Sequence, residues 1–96
     1  MQGHVKGLKD PEIKTLVLDV LKPHAPPLPD FASYLCEFSG VTKVDVSLIE
    51  MDERTESLKV VLTGSAIDYE DLKEHIAKQG AVIHSVDQVV VEYLKR

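Results

Sequence analysis

His84, Ser85 and Asp87 stand within four residues of one another in the stretch AVIHSVDQVVV. A serine, an imidazole and a carboxylate are the parts of a hydrolytic triad, in which the histidine takes the serine proton and the acid orients the histidine. The flanking valines and isoleucine mark the stretch as a β-strand, where successive side chains project from opposite faces. On that alternation the sheet separates His84 from Ser85, and Ser85 shares a face with Asp87 alone. An aspartate does not replace histidine as the activating base, and no G-x-S-x-G elbow exposes the serine. The stretch therefore carries no catalytic assignment.

A second grouping joins distant parts of the chain. If the strand holding His84 lies antiparallel to the strand ending near Asp19, both residues can share a sheet face, with His24 near the same edge. An imidazole with carboxylates suits a divalent cation, and carboxylates with water favour calcium or magnesium. The structural alternative pairs Asp19 with Lys59 across the sheet and leaves His84 an ordinary strand residue. No H-x-x-x-H or C-x-x-C spacing tightens the metal reading. Glu50, Asp52, Glu53 and Glu56 match no EF-hand loop and read as a solvated turn. His75 reads as a helix-surface partner of Asp71, and Cys36 as a small core residue. His4 lies in the polar leading segment and points to no chemistry.

Ninety-six residues, 44% hydrophobic and 28% charged, predict one ordinary globular domain. No run reaches the roughly 18 apolar residues a membrane span needs. The leading MQGHVKGLKDPE lacks the apolar middle of a secretory signal. A single cysteine forbids an internal disulfide and suits a reducing compartment, so a cytoplasmic location is expected. A net charge of −5 lacks the basic footprint of a nucleic-acid binder.

The elements follow from periodicity. Residues 1–11 show no period and read as a mobile tail, leaving 12–96 as the domain. TLVLDVL alternates, with Leu16, Leu18 and Val20 inward. The proline-rich KPHAPPLP reads as a stiff connector leaving the sheet. LPDFASYLCEFSG has helical spacing, with Leu28, Phe31, Ala32, Leu35 and Phe38 on one stripe and Gly40 at the stop. Two strands follow, with Val44, Val46 and Leu48, then Leu58, Val60 and Leu62 inward, joined by a DERTES loop. Asp68 can cap a second helix, Ile67 and Leu72 can form a hydrophobic staple, and Gly80 can end it. A last strand runs from Val82 to about Leu94. The order β-α-β-β-α-β predicts an α+β ferredoxin-like sandwich: a four-stranded antiparallel sheet, order 4-1-3-2, with two helices on one face.

Such a sheet leaves one face without helical cover. Thr15, Val17, Asp19, Lys43, Asp45, Ser47, Ile49, Lys59, Val61 and Thr63 belong to it. The last strand adds either Val82, His84, Val86, Gln88 and Val90 or the opposite set; the first is preferred because it turns Ile83 into the core. Monomers seldom leave a contiguous apolar patch above a few hundred Å² to water. The last strand should also outrun the first, leaving VVVEYLKR as an exposed edge. Both features predict that the chain associates with itself, through Val17, Val61, Val86, Val90 and Val91.

Three activities housed on this fold lack their residues here. An acylphosphatase-like enzyme needs an arginine in its first loop, which here is KPHAPP. RNA-recognition domains stack bases on aromatics of the central strands, where this chain has Val17 and Val61. Copper-chaperone-like domains need the C-x-x-C pair. A small-molecule sensor with its ligand between subunits needs only a cleft and backbone groups, so it stands as the alternative to a binding or scaffolding module.

The segments TLVLDVLKPHAPPLPDFA, GVTKVDVSLIEMDERTESLKVVLTG and IDYEDLKEHIAKQGAVIHSVDQVVV resemble an uncharacterised archaeal family, domain of unknown function 211. The resemblance spans roughly residues 13–91, and LDVLKPH and IHSVD carry it most specifically. It implies a ferredoxin-like fold, ring-like homo-oligomers and, in some members, a bound divalent cation such as calcium. Carried over to this chain, it marks Asp19, His24, His84 and Asp87 as the candidate metal positions. It implies no settled activity.

Overall fold

The computed structural model describes residues 10–93. Its elements are β1 (Pro11–Pro23), α1 (Leu28–Cys36), β2 (Val41–Met51), β3 (Thr55–Gly64), α2 (Tyr69–Ala77) and β4 (Val82–Tyr93). The strands form one antiparallel sheet in the order β2-β3-β1-β4, which is 4-1-3-2 read from the other edge. The ferredoxin-like expectation holds. Leu16, Leu18 and Val20 of β1 and Leu58, Val60 and Leu62 of β3 are all buried, and they meet Phe31, Leu35, Leu72 and Ile76 in one cluster. Because both helices pack on the same strand residues, both lie on one face. Each such side chain contributes roughly 1.5–3 kcal/mol of burial free energy, and these two strands dominate the core.

The helix signals act as read. Pro29 occupies the first turn of α1, where its missing N–H costs nothing. Asp68 Oδ1 accepts the Asp71 N–H at 3.1 Å, and Gly80 takes a left-handed φ of 77° just beyond α2. Gly40 (φ 92°) ends the turn after α1, and its carbonyl accepts the Ser65 N–H at 2.8 Å. Gly64 is the partner of this close crossing: a Cβ there would lie 1.8 Å from the Gly40 carbonyl oxygen.

Several strand ends differ from the sequence reading. Strand β1 starts at Pro11, one residue inside the segment assigned to the tail, and stays paired through Lys22↔Glu56 and Pro23↔Thr55. The connector therefore starts later than its prolines suggest. Pro23 is tolerated because pairing to β4 stops at Leu21↔Val82, so the strand is ending there. The hairpin loop shrinks likewise to 52–54, closed by the Asp52 N–H donating to the Thr55 carbonyl at 2.8 Å. With Pro11 paired to Tyr93, β4 does not outrun β1 over the described residues. Of β4 itself, the edge away from β1 has no strand beside it among the described residues. Leu48 faces the helix side opposite Leu58 but is 45% exposed, since β2 is the outermost strand. Cys36 is exposed rather than in the core, as α1 ends on it. Residues 1–9 and 94–96, including His4 and the end of VVVEYLKR, lie outside the described residues.

Strand β4 breaks strict alternation twice. Val20 pairs with Ile83 but Asp19 with Ser85, and Leu18 pairs with Val86 but Val17 with Gln88. His84 and Asp87 are thus the extra residues of two β-bulges, which bend a strand and re-aim its side chains.

Candidate functional site

The bulges assemble a polar cluster on the uncovered face. Asp19 projects there from β1, between the core residues Leu18 and Val20. His84 Nδ1 lies 3.1 Å from Asp19 Oδ2. The Ser85 hydroxyl donates to Asp87 Oδ1 at 2.7 Å. Asp19, Asp87, Lys59 and Ile49 line a shallow depression of about 270 Å³. Asp19 does stand opposite Lys59 in register, as the structural alternative required, yet its close partner is the imidazole.

This arrangement limits the chemistry. In the neutral tautomer that donates Nδ1–H to Asp19, the other nitrogen of this exposed ring is an acceptor. The serine proton, however, is committed to Asp87, so the hydroxyl is not activated by the imidazole. The expectation that the sheet separates His84 from Ser85 does not hold: as the extra residue of a bulge, His84 reaches Asp19 on the face that Ser85, paired with Asp19, also occupies. The hydrogen-bond partners now separate their roles.

His24 does not join them. Its Nδ1 is 3.0 Å from Glu56 Oε2 and its Nε2 is 3.0 Å from the Glu53 carbonyl, so both ring nitrogens are occupied at the far end of β1. Among the described residues, no three His, Cys, Asp or Glu side chains form a group able to hold a metal ion. The four expected ligands therefore divide: Asp19 and His84 meet, Asp87 borders the same depression, and His24 belongs elsewhere.

Where His24 belongs is an ionic lock, buried at Lys22 and Glu56 and exposed at His24, that the sequence reading missed. Lys22 is 0% exposed. Its ammonium donates to Glu56 Oε1 at 3.1 Å, to the carbonyls of Pro23 (2.8 Å) and His24 (3.3 Å), and to that of Pro26, and it lies 5.8 Å from the Phe31 ring centre. A buried ammonium persists only when its protons are met by such acceptors. The loop 23–26 thus folds around the charge, and Glu56 bridges Lys22 to His24. Glu56 is a buried β3 residue, not part of a solvated turn. The hydrogen bond to Glu56, then that to the Glu53 carbonyl, raises the His24 pKa above 6.5. The His24 hydrogen bond, aided by Lys22, lowers that of Glu56 below 4.5 against the opposing effect of burial. The signal was present: Lys22 continues the inward series Leu16, Leu18, Val20, and Glu56 continues Leu62, Val60, Leu58.

His75 likewise has a different partner from the one expected. It stacks on Tyr34 with ring centres 4.0 Å apart, its Nε2–H donates to the Tyr34 carbonyl at 3.1 Å, and the Tyr34 hydroxyl donates to the His75 carbonyl at 2.6 Å. These reciprocal bonds join α1 to α2.

The expected association residues occupy two surfaces. Val17 and Val61 are paired neighbours on the uncovered face, and Val90, opposite Thr15, joins them. Val86 and Val91 pair with Leu18 and the core-packed Ile13, so both face the helix side. This corrects the alternating assignment of Val86, which the bulge at His84 shifts by one residue. No helix among the described residues is long and apolar enough to cross a membrane.

Residues 14–93 match the family DUF211, described as an uncharacterised ArCR. The chain is 40% identical over 78 residues to the uncharacterised protein MJ0319 of Methanocaldococcus jannaschii, covering 81% of this chain and 80% of that relative. With the family's pattern spanning β1 to β4 on this fold, the chain belongs to the archaeal DUF211 family.

Proposed function

We propose that the chain is a self-associating binding or scaffolding module whose uncovered sheet face is hidden by neighbouring copies. One observation carries this reading. Val17, Val61 and Val90 share a face to which neither helix contributes, and Ile49 (64% exposed) and Val82 (57% exposed) lie toward its other end, past Asp19 and Lys59. Exposed valines scattered singly are ordinary; a shared, uncovered sheet face is the form that favours association. A divalent cation such as calcium belongs to this reading only if a second copy completes the donor set of Asp19, His84 and Asp87. The depression beside Asp19, Asp87 and Lys59 favours a second reading, a sensor that holds a small polar ligand between subunits.

Sedimentation of the full chain at tens of micromolar, an order-of-magnitude concentration for mass-action assembly, tests association directly. Masses that are multiples of the subunit support it, and a monomer overturns it. Melting with calcium, magnesium, amino acids and nucleotides separates the two ligand readings through linked stabilisation.

A further inference from the structure

We propose that the C-terminal half of β4 in one copy adds antiparallel to the outer edge of β2 in a second copy, so that the sheet continues from molecule to molecule. This rests on the self-association reading but uses the two edges of the sheet, not its bare face. Strands β2 and β4 are the terminal strands. Each offers an edge of backbone N–H and C=O groups that the sheet itself does not pair. Proteins that stay monomeric blunt such edges with lysine, proline, bulges or inward-pointing charge; β4 has its two bulges before residue 88, its residues 89–91 are three valines, and the lysine of β2 is Lys43.

Topology fixes the relative direction. Strand β1 runs antiparallel to β3 and β4, and β2 runs antiparallel to β3. Strand β4 therefore opposes β2 in direction. A copy translated along the sheet brings its β4 beside β2 in antiparallel sense, with the helices of both copies on the same side.

Local geometry fixes the register. Both bulges of β4 precede Val89, the third irregularity of its pairing puts the extra residue, Lys14, on β1 between the Val91 and Val90 pairs, and β2 is regular from Lys43 to Leu48. On the helix side of β2, residues Leu28, Pro29 and Ala32 of α1 with Val44 and Val46 border a groove of about 400 Å³. Val89 and Val91, each 49% exposed, face the helix side of β4, opposite Leu16 and Ile13. Setting Val91 against Val44 and Val89 against Val46 seats both valines in that groove. The same register places Glu92 opposite Lys43 on the uncovered side, an opposite-charge pair of the kind that stabilises neighbouring strands. Glu92 is available for it: its own-chain partner Lys14 is 4.0 Å away and its side chain is 61% exposed.

Charge reversal tests this in the full chain, with association constants from sedimentation over a concentration series. Lys43→Glu should weaken association about fivefold or more, the order expected for turning a cross-strand attraction into a repulsion. Adding Glu92→Lys should restore it to within about twofold. In the unmutated protein, amide exchange at 43–46 and 89–92 should slow as concentration rises. Association that ignores Lys43→Glu, or is not restored by the second reversal, overturns the edge contact while leaving the self-association reading intact. Assembly without edge protection also overturns it and leaves the edges to another occupant. A protein that is monomeric throughout removes both.

Discussion

Lys22, Glu56 and His24 form a chain of charges in which each member depends on the next. Both His24 ring nitrogens face acceptors, a carboxylate and a carbonyl, so only the imidazolium satisfies both at once. The pH consequence has a definite sign. His24 has a raised folded pKa, so its stabilisation is complete below 6.5 and fades as pH climbs through that raised value. Glu56 has a lowered folded pKa, so its stabilisation is complete above 4.5 and is lost as pH falls through the lowered value. The lock is thus strongest between pH 4.5 and 6.5. Melting temperatures measured against pH should decline for the natural chain above this window, relative to His24→Gln. Parallel curves for the two proteins on the alkaline side would refute the link. At this scale the sequence was only half legible. The residue types were visible, but LKPH with its prolines reads as a connector, and burial of a lysine is recognised only when Glu56 is known to stand opposite.

At the scale of elements, the core alternation in β1 and β3 and the start and stop of α2 were readable because each is dictated locally. Strand β4 was not, yet its bulges leave a trace. Ile83, Val86 and Val89 recur every third residue, with polar pairs His84–Ser85 and Asp87–Gln88 between them. Strict period two cannot place all three apolar residues on one face; an extra residue at each polar pair can. The candidate cluster therefore arises from the irregularity of the strand, and alternation alone misassigns Val86. A different constraint joins the loops: the backbone after α1 crosses the end of β3 at Gly40 and Gly64. Gly64→Ala would place a Cβ 1.8 Å from the Gly40 carbonyl oxygen, and the forced backbone shift should cost about 2 kcal/mol or more, as overpacking does. Urea unfolding measures this. A loss below about 0.5 kcal/mol, the range of an ordinary surface change, would mean that the crossing relaxes freely.

The described residues extend 48 × 26 × 21 Å, a long, thin body in which a two-layer core covers one side of the sheet. So shaped, a domain of this size has a limited core to stabilise it. If neighbouring copies hide the uncovered face, association and folding become one equilibrium, and stability must depend on concentration. A hundredfold dilution across the association range should lower the melting temperature by on the order of 10 °C, given the small unfolding entropy of a domain of this length. Val61→Lys, which sets a charge beside Val17 in the middle of that face, should weaken the dependence and lower the melting temperature at high concentration toward the diluted value. The pH-dependent lock lies on the helix side, in line with the core series, so its response should persist in the variant. A melting temperature indifferent to dilution in the natural chain would mean that the valine surface is stable in water, and that the core beneath the two helices holds the fold unaided.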